Sequence, residues 1–298
     1  MKVVDCITYF DEPLLFEIRL NILDKFVDEF VVSEANFTHS GEQKKINFDI
    51  SRYKKFKHKI KHLIISEKPK DLFEINDKNK LNNSIYRLNA ANRIQFQRNY
   101  INEYLKKFSP NDWIIYSDSD EIPNLNKIDL QNCEKKIVIF KQLFFYYKFN
   151  LSLTSYDWFG TKACRLKNLK SIDELRNLKP KKYGWWRLDT LFKSDKFINI
   201  KIVDEGGWHF TELKTPKEIY LKHKNDEHHD EFDMTGITEA DIINMVKNKY
   251  IPYDHSIDKK DLKSKWGKKI KVNLTKIDDD KLPNYLIQNK SKYLTWFD

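Results

Sequence analysis

The chain opens on a β-branched apolar run, Val3 to Phe10, followed by Asp11-Glu12-Pro13, where a capping acid and a first-turn proline mark a helix start. Leu14, Ile18 and Ile22 then recur in steps of four with Leu15 beside them. Glu17, Arg19, Asn21 and Asp24 take the rest of the wheel, so the pattern predicts a strand and then an amphipathic helix. Phe30-Val31-Val32 reads as a second strand. A polar loop through Gly41, a short helix near Ile50 to Phe56 and a third strand over Ile60 to Ile65 follow. Leu81 to Phe108 contains no Gly or Pro and is long enough for about seven helical turns, returning the chain to a fourth strand at Trp113 to Tyr116. Strands alternating with helices predict a parallel sheet.

After Pro123 the pattern changes, and a mixed or antiparallel half follows. Ile137 to Phe149 is strand-like and heavily aromatic, and further strands are predicted at Lys162 to Leu166, Trp185 to Phe192, Phe197 to Val203 and Gly207 to Phe210, with short connections. From Pro216 the chain reads helical to about Asp226 and again from Glu239 to Lys249, ending in a segment that carries Lys259, Lys260, Lys263, Lys265, Lys268, Lys269 and Lys271. The expected fold class is α/β, a mixed central sheet with a short antiparallel second half and a helical C-terminal segment. The expected division is residues 1–232 as one domain, with 233–298 as a helical, lysine-rich extension packed on it.

Composition narrows the class. The 298 residues are 40% hydrophobic and 14% aromatic, which is a folding composition. The net charge of +10 favours an anionic ligand, although codon bias toward Lys, Asn and Ile accounts for it equally, and nucleic acid is not the expected partner. Cys6, Cys133 and Cys164 are odd in number and far apart, so no disulfide framework or CxxC site is expected and a reducing compartment is the simpler setting. No run approaches the roughly 18 apolar residues of a membrane span, and the N-terminus lacks a cleavable leader pattern, so a soluble cytoplasmic protein is expected.

The chemistry concentrates at WIIYSDSDEIP, Trp113 to Pro123, where an apolar strand ends in Asp118, Asp120 and Glu121. Crowded carboxylates repel unless a cation relieves them. If the chain stays extended, Asp118 and Asp120 point the same way and reach one ion; otherwise the acids are a turn or capping cluster. Hard oxygen ligands suit magnesium or manganese bridging a diphosphate. Arg87 and Arg98, about three turns apart on one helix face, either meet that diphosphate or pair with acids of the sheet edge. In Gly207-Trp208-His209-Phe210, His209 is either a metal ligand or a polar residue on a strand face, and Gly206 and Gly207 allow close backbone approach to a phosphate or sugar. His223, His228 and His229, with Asp226, Glu227 and Glu231, read as a solvated helix end.

Five blocks in order give a resemblance: Asp5 to Gly41, RNYI at Arg98 to Ile101, IIYSDSDEIP at Ile114 to Pro123, WFGT at Trp158 to Thr161, and GGWHFT at Gly206 to Thr211. From about residue 5 to 232 the chain resembles glycosyltransferase family 17, which includes the β-1,4-mannosyl-glycoprotein N-acetylglucosaminyltransferases. The resemblance implies a GT-A-like nucleotide-sugar-binding fold and an inverting, cation-dependent transferase using manganese or magnesium, with a UDP-sugar donor, UDP-N-acetylglucosamine by default, and a glycan or polysaccharide acceptor. It implies Asp118, Asp120 and His209 as metal ligands, Asp120 foremost, and Tyr9 and Phe10 near the nucleotide. Glu34, Asn36, Thr38 and His39 would line the same pocket, and Trp158 and Trp208 would stack on a sugar. The base an inverting enzyme needs is sought among Glu205, taken first, Asp157, Asp204 and Glu212. Animal members carry a membrane anchor and act on N-glycans, so a bacterial or viral glycan pathway is expected here. The competing readings are a metal-dependent phosphoryl or nucleotidyl transferase and a basic binding module.

Overall fold

The apolar runs Val3–Thr8, Glu29–Ala35 and Trp113–Asp118 are buried along almost their whole length, as inner strands of a parallel sheet are, while the edge run Ile60–Ile65 is fully buried only at Ile65. Strand β1 (Val3–Thr8) and β2 (Glu29–Ala35) lie side by side with helix α1 (Pro13–Leu23) as crossover. A 3-10 stretch, Ile50–Lys59, capped by the Asp49 side chain, feeds β3 (Ile60–Ile65), and helix α2 (Asn83–Leu105) returns to β4 (Trp113–Asp118) on the other side of β1. The structure, a computed structural model, describes residues 1–75, 83–181, 199–225, 229–256 and 266–298. The expected strand over Trp185 to Phe192, His228 and Lys259, Lys260, Lys263 and Lys265 lie outside the described residues.

The chain continues through β5 (Glu121–Pro123), β6 (Ile137–Phe140), β7 (Leu143–Tyr146), β8 (Leu151–Ser152), β9 (Lys162–Arg165), helix α3 (Ile172–Asn177), β10 (Ile200–Val203) and β11 (Gly207–Thr211). Helices α4 (Pro216–Asn225), α5 (His229–Thr235) and α6 (Glu239–Lys247) follow, then β12 (Tyr250–Ile251), β13 (Val272–Asn273), β14 (Thr275–Lys276) and α7 (Asn284–Gln288). The central sheet runs β10-β6-β9-β4-β1-β2-β3, with β9 antiparallel to both neighbours and the other pairs parallel. A second sheet runs β14-β8-β7-β11-β5. It is mixed: β11 and β7 are parallel and its other pairs are antiparallel, within the expected mixed or antiparallel second half. The α/β class with a mixed central sheet is as the pattern predicts.

Three segments leave the central sheet and enter the second along one seam: β4 to β5 across Ser119-Asp120, β6 to β7 across Lys141-Gln142, and β10 to β11 across Asp204 to Gly206. The expected single strand over Ile137 to Phe149 is therefore two strands. The break is set by Gln142, 2% exposed, whose amide donates to the Ile122 carbonyl (3.3 Å) and Thr161 Oγ1 (3.2 Å) and accepts from the Thr161 amide (3.2 Å). Gly207 (φ 137°) sits where a Cβ would lie 2.1 Å from the Ile122 carbonyl oxygen, so its lack of a side chain serves the approach of β5.

Arg19, expected on the polar face of α1, is fully buried. Its guanidinium binds Asp5 through Nε (2.6 Å) and Nη2 (2.5 Å), donates to the Glu121 carbonyl and reaches Ser117 Oγ at 3.0 Å. That fork ties α1 and β1 to the turn carrying the acids. The three cysteines are free and buried. Residues beyond 232 pack into both halves: Ile237, Ile242 and Met245 join Phe144 and Tyr146, while Leu282, Leu286 and Tyr293 join the core beside α1. Among the described residues no helix is long and apolar enough to cross a membrane.

Candidate active site

Strand β4 ends at Asp118, Ser119 and Asp120 form a turn, and β5 starts at Glu121. The chain is not extended through the three acids, so the alternation argument does not hold and each carboxylate takes different partners. Asp118 Oδ2 receives Arg176 Nη2 at 2.5 Å and Nε at 3.1 Å, and Arg98 Nη2 lies 3.6 Å from its Oδ1. Burial raises the Asp118 pKa, but Arg176 and then Arg98 outweigh it and hold the carboxyl well below its usual range. Arg98 also donates to Asp173 Oδ1 (3.0 Å) on α3, a helix capped by Ser171.

Glu121 is fully buried, and burial holds its carboxyl above the ordinary range although Arg176 opposes it. It accepts from Trp158 Nε1 (2.7 Å), Arg176 Nη2 (3.0 Å) and the Asp118 amide (3.2 Å). A Cβ at Gly160 would lie 2.0 Å from Glu121 Oε1, so that position admits only glycine without a shift of buried groups. Thr161 Oγ1 sits 2.8 Å from Ser117 Oγ. The WFGT block thus braces the acidic turn. Beside it Lys162 donates to the Arg176 carbonyl, and burial, reinforced by the Arg176 charge, pushes its pKa down to about 7.

Asp120 faces the other way. Its Oδ1 is 3.4 Å from His209 Nε2 and its Oδ2 is 3.8 Å from Lys222 Nζ. Burial raises its pKa, and the facing His209 and Lys222 overcome that and lower it. The His209 ring stacks on Phe144 (4.5 Å, 12°) and lies 4.5 Å from Trp158, and its Nδ1 is buried without a hydrogen-bond partner. Strand alternation sends Trp208 to the opposite face, where its indole donates to the Lys281 carbonyl at 2.7 Å.

A cleft of about 270 Å3 opens at the carboxyl ends of β1 and β4. It brings together Tyr9, Phe10, Arg98, Asp118, Asp120, Trp158 and His209 from the sequence reading, and His39 at its edge. The others lie elsewhere. Glu34 is buried, holds the loop before Asp49 through Lys44 (2.5 Å) and the Asn47 amide (2.7 Å), and lies 3.3 Å from His62 on β3. The Asn36 carbonyl accepts from the Lys44 amide (2.8 Å), and Thr38 caps Gly41 and Glu42. Arg87 is exposed, and neither it, Gly207 nor Trp208 lines the cleft. Glu205 is an exposed partner of Lys127 (2.5 Å) and Asp157 an exposed partner of Lys141 (2.7 Å), so neither expected base reaches the cleft. The pattern did not single out Lys222, which lines the cleft, or Arg176, which holds Asp118 and Glu121 of the acidic turn; the Ser171 to Glu174 cap signature was the available signal for the helix carrying Arg176.

The model of glycosyltransferase family 17 matches residues 1–172, which include β1 to β9 and the acidic turn, while Arg176 and His209 lie beyond the match. No curated protein sequence matches the chain. Similar solved structures include HddC from Yersinia pseudotuberculosis (13% identity, 68% of this chain and 90% of that one, TM-score 0.33). Also similar are a glycosyltransferase involved in the glycosylation of the major capsid of PBCV-1 (14%, 83% and 99%, 0.29) and the inositol-1-phosphate CTP transferase from T. maritima (12%, 75% and 96%, 0.33). With more than half of its residues matched by the family and the acidic turn inside that match, the chain belongs to glycosyltransferase family 17 and is a glycosyltransferase.

Proposed function

We propose that the protein moves a sugar, N-acetylglucosamine by family resemblance, from a UDP-sugar to a glycan or polysaccharide acceptor with inversion and with the help of manganese or magnesium. The observation that carries this reading is the cleft itself: Asp120 and His209 face each other at 3.4 Å in a pocket whose walls add Arg98, Lys222 and the rings of Tyr9 and Phe10. A carboxylate with a neighbouring imidazole offers two of the donors a divalent cation takes, and the cation would complete its shell with diphosphate oxygens and water. Asp120 and His209 would hold it, and when bound it would offset charge developing on the leaving diphosphate. Asp118, engaged by two arginines, sets the position of the turn. Arg98 offers its guanidinium to phosphate oxygens.

The test is a donor screen on the full chain with manganese, reading nucleotide release and the anomeric configuration of the product. Release of UDP from one UDP-sugar with an inverted glycoside as product supports the proposal. Turnover of nucleoside triphosphates with no turnover of sugar nucleotides would replace it with nucleotidyl transfer, and metal-independent, salt-sensitive oligonucleotide binding without turnover would replace it with a binding module.

A further inference from the structure

A second cavity, about 380 Å3, meets the cleft at Trp158 and His209, which line both. Strands β7 and β11 form one side of it, and α4, α5, α6 and the residues around Tyr253 and Trp266 form the other. Much of its lining belongs to the hydrophobic cluster around Phe144 and Phe232, interrupted by the polar groups of Glu212, His223 and His255. Rings dominate: Trp158 lies 4.9 Å from Phe144, Tyr253 is 6.0 Å from Trp266, and the Tyr146 hydroxyl is 2.7 Å from His255 Nε2. No lysine or arginine is among the described residues that line it, in contrast to the cleft with Arg98 and Lys222. The described lining suits a ligand with apolar faces to lie on rings and hydroxyl edges to bond polar tips, which is the surface a pyranose presents.

Glu212 stands in this chamber at the end of β11. Its backbone is held in the left-handed region (φ 55°), unusual for a residue with a side chain, and its carboxylate is mostly buried with Oε1 2.8 Å from His223 Nε2. His223 is itself fixed by stacking on Phe232 at 4.9 Å. Glu212 also borders a smaller cavity of about 160 Å3 that it shares with Asp120 and Lys222, so it sits between the chamber and the acidic turn.

We infer that the chamber holds the acceptor saccharide and that Glu212 receives the proton of its attacking hydroxyl, an inference that rests on the sugar-transfer reading above. The acceptor oxygen bonds to the anomeric carbon of the donor. The bond from that carbon to the diphosphate oxygen breaks, with its electron pair leaving on the nucleoside diphosphate. The hydroxyl proton passes to a Glu212 carboxylate oxygen and from there to water. His223 is a positioning residue that orients the carboxylate.

The experiment uses the full chain and the methyl glycosides of glucose, galactose, mannose and N-acetylglucosamine as probes, with binding read by saturation-transfer NMR. Wild type should bind at least one glycoside, and Trp266→Ala and Tyr253→Ala should each weaken that binding about tenfold or more while manganese-dependent UDP binding persists; UDP binding also certifies the fold of each variant. With the bound glycoside as acceptor, Glu212→Gln should lower transfer about 10²-fold or more with little change in acceptor KM, as expected for loss of a general base. UDP binding with no glycoside bound, equal glycoside binding by both aromatic variants, or undiminished transfer by Glu212→Gln overturns the inference. Failure of wild type to bind UDP with manganese removes the donor reading instead, so the two failures are told apart.

Discussion

The cleft at the acidic turn and the chamber behind it share Trp158 and His209 as a common wall, yet they are held open by different forces. The cleft side is a charge network in which Arg176 pairs with Asp118 and Glu121 and Arg98 with Asp118 and Asp173, and the two arginines hold the Asp118 carboxyl low against its burial. The chamber side is aromatic and aliphatic packing, with Phe232, Ile242 and Met245 in the same hydrophobic cluster as Phe144 and Tyr146. A charge network fails when one partner goes, because a buried charge is stranded. A packed wall loses only what its missing atoms contributed.

The sharpest break of that comparison is Arg176→Met, which takes from Glu121 its arginine and leaves Asp118 only the more distant Arg98. Its expected cost is about 3–5 kcal/mol in denaturant unfolding, against less than about 1.5 kcal/mol for Met245→Leu in the chamber. Equal costs would dissolve the distinction. The pH dependence gives the sign. Asp118 has a depressed pKa in the folded state, so its contribution is fully present above the ordinary carboxylate value of about 4 and fades as pH falls below it. The deficit of Arg176→Met should therefore be larger at pH 7 than at pH 3.

A smaller effect is expected at the shared wall. Gly160→Ala places a Cβ against Glu121 Oε1 at 2.0 Å and Trp158 Nε1 at 2.4 Å, and overpacking of this kind costs about 1–3 kcal/mol. Because the same shift moves the ring shared by both cavities, UDP and glycoside binding should weaken together. Smallest is Thr238→Ala, which removes the reciprocal cap with Asp241 at the start of α6 and should cost about 1 kcal/mol in unfolding while leaving UDP binding unchanged.

Much of the first half of the fold was legible because its strands and helices are regular and its periodicities clean: β3 has the predicted bounds, and α1 and α2 fall within the predicted runs. The seam was not. Ile137 to Phe149 carries no turn residue where it breaks, and the break depends on Gln142 bonding to Ile122 and Thr161, residues distant in sequence. Arg19 was misplaced because a helical wheel ranks arginine as polar and cannot see Asp5 waiting inside the sheet. At the candidate site, the acids at the end of β4 and His209 were visible as types in context. Adjacency to a motif did not tell the acids apart: Glu205, one residue from Gly206, is exposed and pairs with Lys127, and Asp157, next to Trp158, is exposed and pairs with Lys141, whereas Glu212, next to Thr211, is mostly buried against His223.

The central claim is that the cleft, and not the chamber, takes the nucleoside diphosphate through a cation held by Asp120 and His209. Calorimetric titration of UDP, with and without manganese, into wild type, Asp120→Asn and Trp266→Ala tests it directly. The account predicts manganese-dependent binding in wild type and Trp266→Ala and its loss in Asp120→Asn, whose amide keeps the size of the carboxylate without its charge. Wild-type UDP affinity and manganese dependence surviving in Asp120→Asn would contradict it.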